Sequence, residues 1–126
     1  RHNSTELPRE VEYGIALINK GEYFQAHEIL EFAWRNEVKK QRQLYQGLVQ
    51  VSVLLYHLER ENIRGAVKLL DKALVNLTPF LGELTALEVP LLVSDLKELK
   101  AQIESGHRKS VSSLTAGFRL YIHQPD

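Results

Sequence analysis

The sequence predicts an all-α fold, a compact helical array of about five to six helices with two stacked antiparallel helix hairpins at its centre. Apolar residues recur at spacings of three and four along nearly the whole chain, and no stretch alternates as a half-buried strand would. Prolines and glycines fall at the joints between periodic segments rather than inside them. A weak internal repeat at an offset of forty residues lays Gly21–Trp34 over Glu61–Leu74, matching Ala26 with Ala66, Leu30 with Leu70, Glu31 with Asp71 and Ala33 with Ala73. Small residues at matched places let paired helices approach closely, so the repeat predicts helix pairing of the tetratricopeptide style without that repeat's full consensus.

Each element follows from local chemistry. Pro8 suits the first turn of a helix because its missing amide hydrogen has no partner there, and Val11, Ile15 and Ile18 then point inward to about Asn19. Lys20-Gly21 makes a turn, and further helices are expected from about Glu22 to Asn36, Gln41 to Arg60, and Asn62 to Asn76, with Asn62 capping the last of these. Thr78-Pro79 stops that helix, and Phe80 to Pro90 reads as irregular or as a short turn. Ser94 is placed to cap a final helix that reaches Glu104 and ends at Gly106. Residues 1–106 are therefore expected to form one helical domain, and 107–126 a tail whose apolar residues Phe118, Leu120, Tyr121 and Ile122 either dock or stay mobile.

A chain of 126 residues is the usual size of one domain and can bury a core without staples. It has no cysteine, which excludes disulfides, thiolate metal sites and a cysteine nucleophile, and leads us to expect a cytoplasmic protein. The longest apolar run, Val51 to Leu58, is broken by Ser52 and His57 and is far short of a membrane span, so no membrane association is expected. Sixteen basic residues balance sixteen acidic ones, so the global field that draws proteins to nucleic acid is missing; Lys39, Lys40 and Arg42 read as a solvated loop between helices.

The segment that could carry chemistry is the second helix. At a hundred degrees per residue Tyr23, Ala26, His27, Leu30 and Trp34 share one face, with Phe24 on one flank, Ile29 on the other and Phe32 almost opposite. A helix apolar on several sides is expected to sit centrally. Glu31 lies one turn beyond His27, and Glu28 is three residues from Glu31, so a histidine and two carboxylates share one patch. Buried charges need partners. The third helix offers them: Leu44, Leu48, Val51 and Leu55 form one apolar stripe, while Gln46, Gln50, Val53 and His57 form a second on the far side. We expect the polar line of Gln46, Gln50 and His57 to face the second helix and satisfy His27 and Glu31.

The run His27-Glu28-x-x-Glu31-x-x-Trp34, followed by Tyr45-Gln46-Gly47-Leu48-Val49-Gln50 and Gly65-Ala66, resembles the bacterial and archaeal family called domain of unknown function 309, over roughly Val11 to Leu77. The resemblance implies a compact helical domain whose motif residues are the suspected site. It implies no substrate, cofactor or activity.

Three functional readings follow. In the first, a divalent metal is held by His27 and Glu31, Glu28 acts as a base in hydrolytic or lyase-type chemistry, and Gln46, Gln50 or His57 completes the shell. Against it, a zinc-protease motif has a second histidine where this chain has Glu31, and the di-iron Glu-x-x-His signature occurs only at Glu104 to His107, across Gly106. In the second, metal-free acid–base chemistry or small-ligand binding uses Glu28, Glu31 and His27, with Trp34 lining a pocket; the serines clustered near Ser94, Ser110, Ser112 and Ser113 lie outside the motif helices, so no Ser-His-Asp arrangement is expected. In the third, the helices form an interaction module for a protein partner or a homodimer, and the motif is a buried hydrogen-bond network holding them in register. The bland alternative is a core role for Tyr23, Trp34 and His57, cross-helix hydrogen bonds for Gln46 and Gln50, and ion pairs for Glu28 and Glu31.

Overall fold

Pro8 leads the chain into its first helix. Its carbonyl accepts from the amides of Val11 (3.0 Å) and Glu12 (3.1 Å), and its ring sets φ at −57°. The structure, a computed structural model, describes residues 6–105, 114–115 and 117–122. Five α-helices are named among them: α1 (Arg9–Asn19), α2 (Tyr23–Asn36), α3 (Gln41–Glu59), α4 (Ile63–Leu77) and α5 (Val89–Glu104), with one 3-10 turn at Thr78–Phe80. The all-α reading holds, and the only extended pairing among the described residues is a single antiparallel bridge between Leu87 and Ile122.

The forty-residue repeat reappears as geometry. Gly21 has φ +83° and Glu61 has φ +61°, the same place in the two units. The amide of Gly21 reaches the Ile18 carbonyl (2.9 Å) and that of Glu22 reaches Leu17 (2.9 Å); at the second turn Glu61 reaches Leu58 (3.0 Å) and Asn62 reaches His57 (2.7 Å). Both are Schellman turns, in which one left-handed residue lets two amides close back on the last helical turn. Asn62 then caps α4 as expected, its Oδ1 accepting from the Gly65 amide at 3.0 Å.

The helices pack where small residues admit them. A Cβ on Gly14 would lie 2.5 Å from Leu30 Cγ, and one on Gly47 would lie 2.8 Å from Leu77 Cδ2, so α1 closes on α2, and α3 on α4, at glycine contacts. Ala26, Ala66, Leu30, Leu70 and Ala73 are all fully buried at the matched positions. The central helix is α3, with nine buried residues against four for α2, and its expected stripe of Leu44, Leu48, Val51 and Leu55 lies in the core. Phe32 is 56% exposed, which corrects the expectation of a central second helix: α2 packs on α1 and α3 and leaves its far side to solvent.

Two further expectations change. The last helix begins at Val89, with Pro90 in its first turn, rather than at Ser94, which lies exposed inside it; Pro90 has no amide to place in the ladder and so belongs at a helix start. The described part of the tail docks. Asn19 Nδ2 donates to the Leu120 carbonyl and its Oδ1 accepts from the Leu120 amide, both at 2.9 Å, while the Glu88 amide donates to Tyr121 O at 2.9 Å. Gly106 and residues 107–113, with the expected helix stop among them, lie outside the described residues. None of the described helices is long and apolar enough to cross a membrane.

Candidate functional site

One face of α3 is left open by its neighbours. At a hundred degrees per residue Arg42, Gln46, Val49, Val53, Tyr56 and Arg60 fall in one sector about 80° wide, and none of the six is buried. Beside it runs the α2 flank of Phe24, His27, Glu31 and Trp34, also spaced by three and four and also unburied. Because α2 and α3 form an antiparallel hairpin, the two rows meet end to end. At one end the Phe24 and Tyr56 rings are 5.8 Å apart; at the other the Arg42 guanidinium stands 4.7 Å above the Trp34 ring. Arg60 stands over Tyr56 in the same way, at 5.5 Å. A guanidinium over an aromatic face is held by the ring's negative quadrupole while its N–H edge stays free.

Within this face the predicted residues divide. His27, Glu31 and Trp34 lie on the α2 flank and Gln46 on the α3 stripe, but the dry polar seam expected between them is not formed. His27 Nδ1 donates to the Phe24 carbonyl of its own helix at 2.7 Å, and its ring packs 5.0 Å from that of Phe24. Glu31 pairs with Arg35 one turn on, at 3.5 Å, with its side chain 36% exposed. Glu28 is exposed, a further turn of the wheel away from the α3 stripe. Gln50 and His57 face α4 instead of α2: Asn76 Nδ2 donates to Gln50 Oε1 (2.8 Å), and Asn62 Nδ2 lies 3.3 Å from His57 Nδ1. Since Asn62 Oδ1 already caps α4, its amide nitrogen is the donor and His57 Nδ1 accepts. The reason for the rearrangement is azimuthal. The leucine stripe of α3 turns into the core, which carries Gln50 and His57 round toward α4, and the α2 groups find partners within their own helix.

The donor set does not fit a metal centre as it stands. Among the described residues no group of three or more histidine, aspartate or glutamate side chains is placed to hold an ion, because Glu28 diverges and Glu31 is shared with Arg35. The indole Nε1 of Trp34 is buried without a hydrogen-bond partner. The clefts that lie elsewhere among the described residues include one of ≈ 480 Å³ along α5 lined by Leu81, Pro90 and Val93, and a smaller one of ≈ 140 Å³ lined by Lys40, Tyr45, Phe80 and Leu84. Neither includes His27, Glu28 or Glu31. In the smaller cleft burial pushes the Tyr45 hydroxyl up to about 12, with the Glu37 carboxylate adding in the same direction.

Sequence reasoning missed Phe24, Tyr56 and the two arginines as members of this surface, and Asn76 as the partner of Gln50. Arg42 was expected in a solvated loop, yet it occupies the first turn of α3. A signal was available: Trp34 and Arg42 are equidistant from residue 38, the middle of the loop, and an antiparallel hairpin brings such residues together.

Comparison with known proteins extends the observations. The chain is 35% identical over 65 residues to the uncharacterized protein YpuF of Bacillus subtilis (strain 168), an alignment covering 51% of this chain and 37% of that protein. It is 30% identical over 76 residues to an uncharacterized protein of Aquifex aeolicus (strain VF5), covering 57% of this chain and 21% of that one. The chain thus spans well under half the length of either relative. No solved structure matches. The model of the family described as domain of unknown function (DUF309) matches residues 11–69, which take in most of α1, all of α2 and α3, and the first half of α4 with the whole open face. The resemblance carried by the His27-Glu28-x-x-Glu31-x-x-Trp34 run is thus matched by the model of domain of unknown function 309 over residues 11–69.

Proposed function

We propose that the chain is a helical interaction module and that a segment of a partner protein docks on the open face of α3. The observation that carries this reading is the pair of aromatic-stacked arginines. Arg42 on Trp34 and Arg60 on Tyr56 are oriented at the two ends of a partly apolar stripe, and neither has a carboxylate partner among the described residues. Tryptophan, tyrosine and arginine are the residues that most often anchor protein interfaces, because each combines area with directed hydrogen bonding. The motif residues serve this surface: the Phe24 ring packs against both His27 and Tyr56, and Glu31 pairs with Arg35.

The test is selection of a displayed random-peptide library on the wild-type chain, followed by binding of the enriched peptides to Tyr56→Ala and Val53→Asp. Both positions are partly exposed, so both variants are expected to fold, as circular dichroism will check. Enriched peptides should lose at least about tenfold in affinity to each. No enrichment, or peptides indifferent to both substitutions, refutes the reading.

A second reading has one observation behind it. With Nδ1–H fixed on the Phe24 carbonyl, His27 leaves its Nε2 lone pair outward, the arrangement that orients a metal-ligating histidine, and Glu31 is one turn on. Under this reading His27 and Glu31 form half of a divalent-metal site that another group completes. Elemental analysis of chelator-free protein beside His27→Ala decides it: near-stoichiometric metal lost in the variant supports the site, and equal trace metal in both discards it.

A further inference from the structure

Resting on the module reading, the further question is which kind of segment the open face of α3 selects. Its two arginines are eighteen positions apart, so their Cα atoms are separated by about 27 Å along the helix axis. Each guanidinium is parked over a ring, 4.7 Å or 5.5 Å from its centre, which leaves several N–H donors free. A planar fork held in this way suits a carboxylate, which accepts two parallel hydrogen bonds from it. Between the arginines the stripe is Gln46, Val49, Val53 and Tyr56, with no charged residue. On the α2 side of that centre stand Glu31 and, beyond it, Glu28, which disfavour acid in the middle of a bound segment.

The α4 side of the face tells extended from helical. Gln43 Nε2 donates to Asn76 Oδ1 (3.3 Å) and Asn76 Nδ2 donates to Gln50 Oε1 (2.8 Å), a row of three amides linking α3 to α4. The row uses one end of each glutamine and leaves Gln43 Oε1 as an acceptor and Gln50 Nε2 as a donor. An extended chain has backbone N–H and C=O groups to offer these amides; a helix has already spent its own. A second copy of this chain is a poor occupant, because two-fold pairing about the middle of α3 sets Arg42 of one copy against Arg60 of the other.

We propose that this face binds an extended acidic segment of a partner protein, about eight residues long, with a carboxylate at each end and an apolar centre. An extended strand rises about 3.4 Å per residue, so about eight residues span the two arginines.

Three synthetic peptides of that length with the same apolar centre test it, ending in Asp/Glu, in Asn/Gln or in Lys, measured by calorimetry on the wild type, on Tyr56→Ala and on the double variant R42E/R60E. The acidic-ended peptide should bind the wild type at least about tenfold more tightly than the amide-ended one, and the difference should shrink between about 50 mM and about 500 mM salt. R42E/R60E, both exposed positions, should reverse the preference to the Lys-ended peptide. If amide-ended and acidic-ended peptides bind equally and Tyr56→Ala abolishes both, the module reading stands and the acidic class is overturned. If no peptide binds while library-selected peptides do, the face takes a segment of other chemistry and this proposal again fails alone. If the chain self-associates through a surface broken by R42E/R60E, the occupant is a second copy and the proposal is wrong.

Discussion

Glu61 shows how far a repeat constrains a single residue. Its φ of +61° is the left-handed conformation that Gly21 adopts at +83° in the first hairpin, and the hydrogen bonds around the two residues match. For a residue with a Cβ that conformation costs roughly 1–2 kcal/mol, which a glycine avoids. Glycine also loosens the unfolded chain, which offsets part of the gain. Glu61→Gly should therefore raise stability by roughly 0.5–1 kcal/mol, seen as a higher urea midpoint at unchanged slope. Gly21→Ala should lower it by a similar amount, with open space around the added Cβ making backbone strain the sole cause. A Glu61→Gly midpoint at or below wild type would show that the second turn is not strained.

Among the elements, α1 to α4 were legible because each carries its own periodicity and its own stop. The stripe of Leu44, Leu48, Val51 and Leu55 could be read from spacing alone, and so could the Asn62 cap, since both depend on neighbours a turn away. The direction of Gln50 and His57 could not: a helical wheel gives the angle between residues but not which neighbour lies at that angle, and α4 rather than α2 lies there. The candidate site was therefore half legible, its α2 flank found through the motif and its arginines missed because a charge beside a loop reads as solvated. The docking of 117–122 was beyond reach, because it depends on Asn19, 101 residues away from Leu120. That clamp makes a prediction about the element it holds. Asn19→Ala removes both partners of a buried backbone unit, with Leu120 only 3% exposed, and should cost roughly 2 kcal/mol. Amide exchange at Leu120 should quicken well before that of α3, and Asn19→Asp, which keeps the acceptor and loses the donor, should fall between. Unchanged exchange at Leu120 in Asn19→Ala would mean that the segment is held by Leu87, Glu88 and apolar contact instead.

On the scale of the whole molecule, one core runs from Val11 in α1 through Leu58, Leu77 and Leu96 to Leu120, so no helix has an apolar interior of its own to keep it folded when its neighbours leave. Folding should then be cooperative, and a group that destabilises the core when it ionises should unfold all of it. Tyr45 is such a group, 3% exposed and with no hydrogen-bond partner for its hydroxyl among the described residues. Burial pushes its hydroxyl up to about 12 in the fold, against about 10 for a free tyrosine. A raised value means that the folded chain holds the proton more tightly than the unfolded one. The stability tied to that proton is complete below pH 10 and drains away between pH 10 and about 12, by on the order of 2 kcal/mol. Burial raises Tyr23 as well, so it works in the same direction. An alkaline titration should show helical circular dichroism and the fluorescence of Trp34, the chain's single tryptophan, falling together within that window. Tyr45→Phe should leave stability at neutral pH nearly unchanged, since no hydrogen bond is lost, and should move the alkaline midpoint upward. Separate midpoints for the two signals would divide the core into independent parts, and an unmoved midpoint in Tyr45→Phe would assign the alkaline transition to another group.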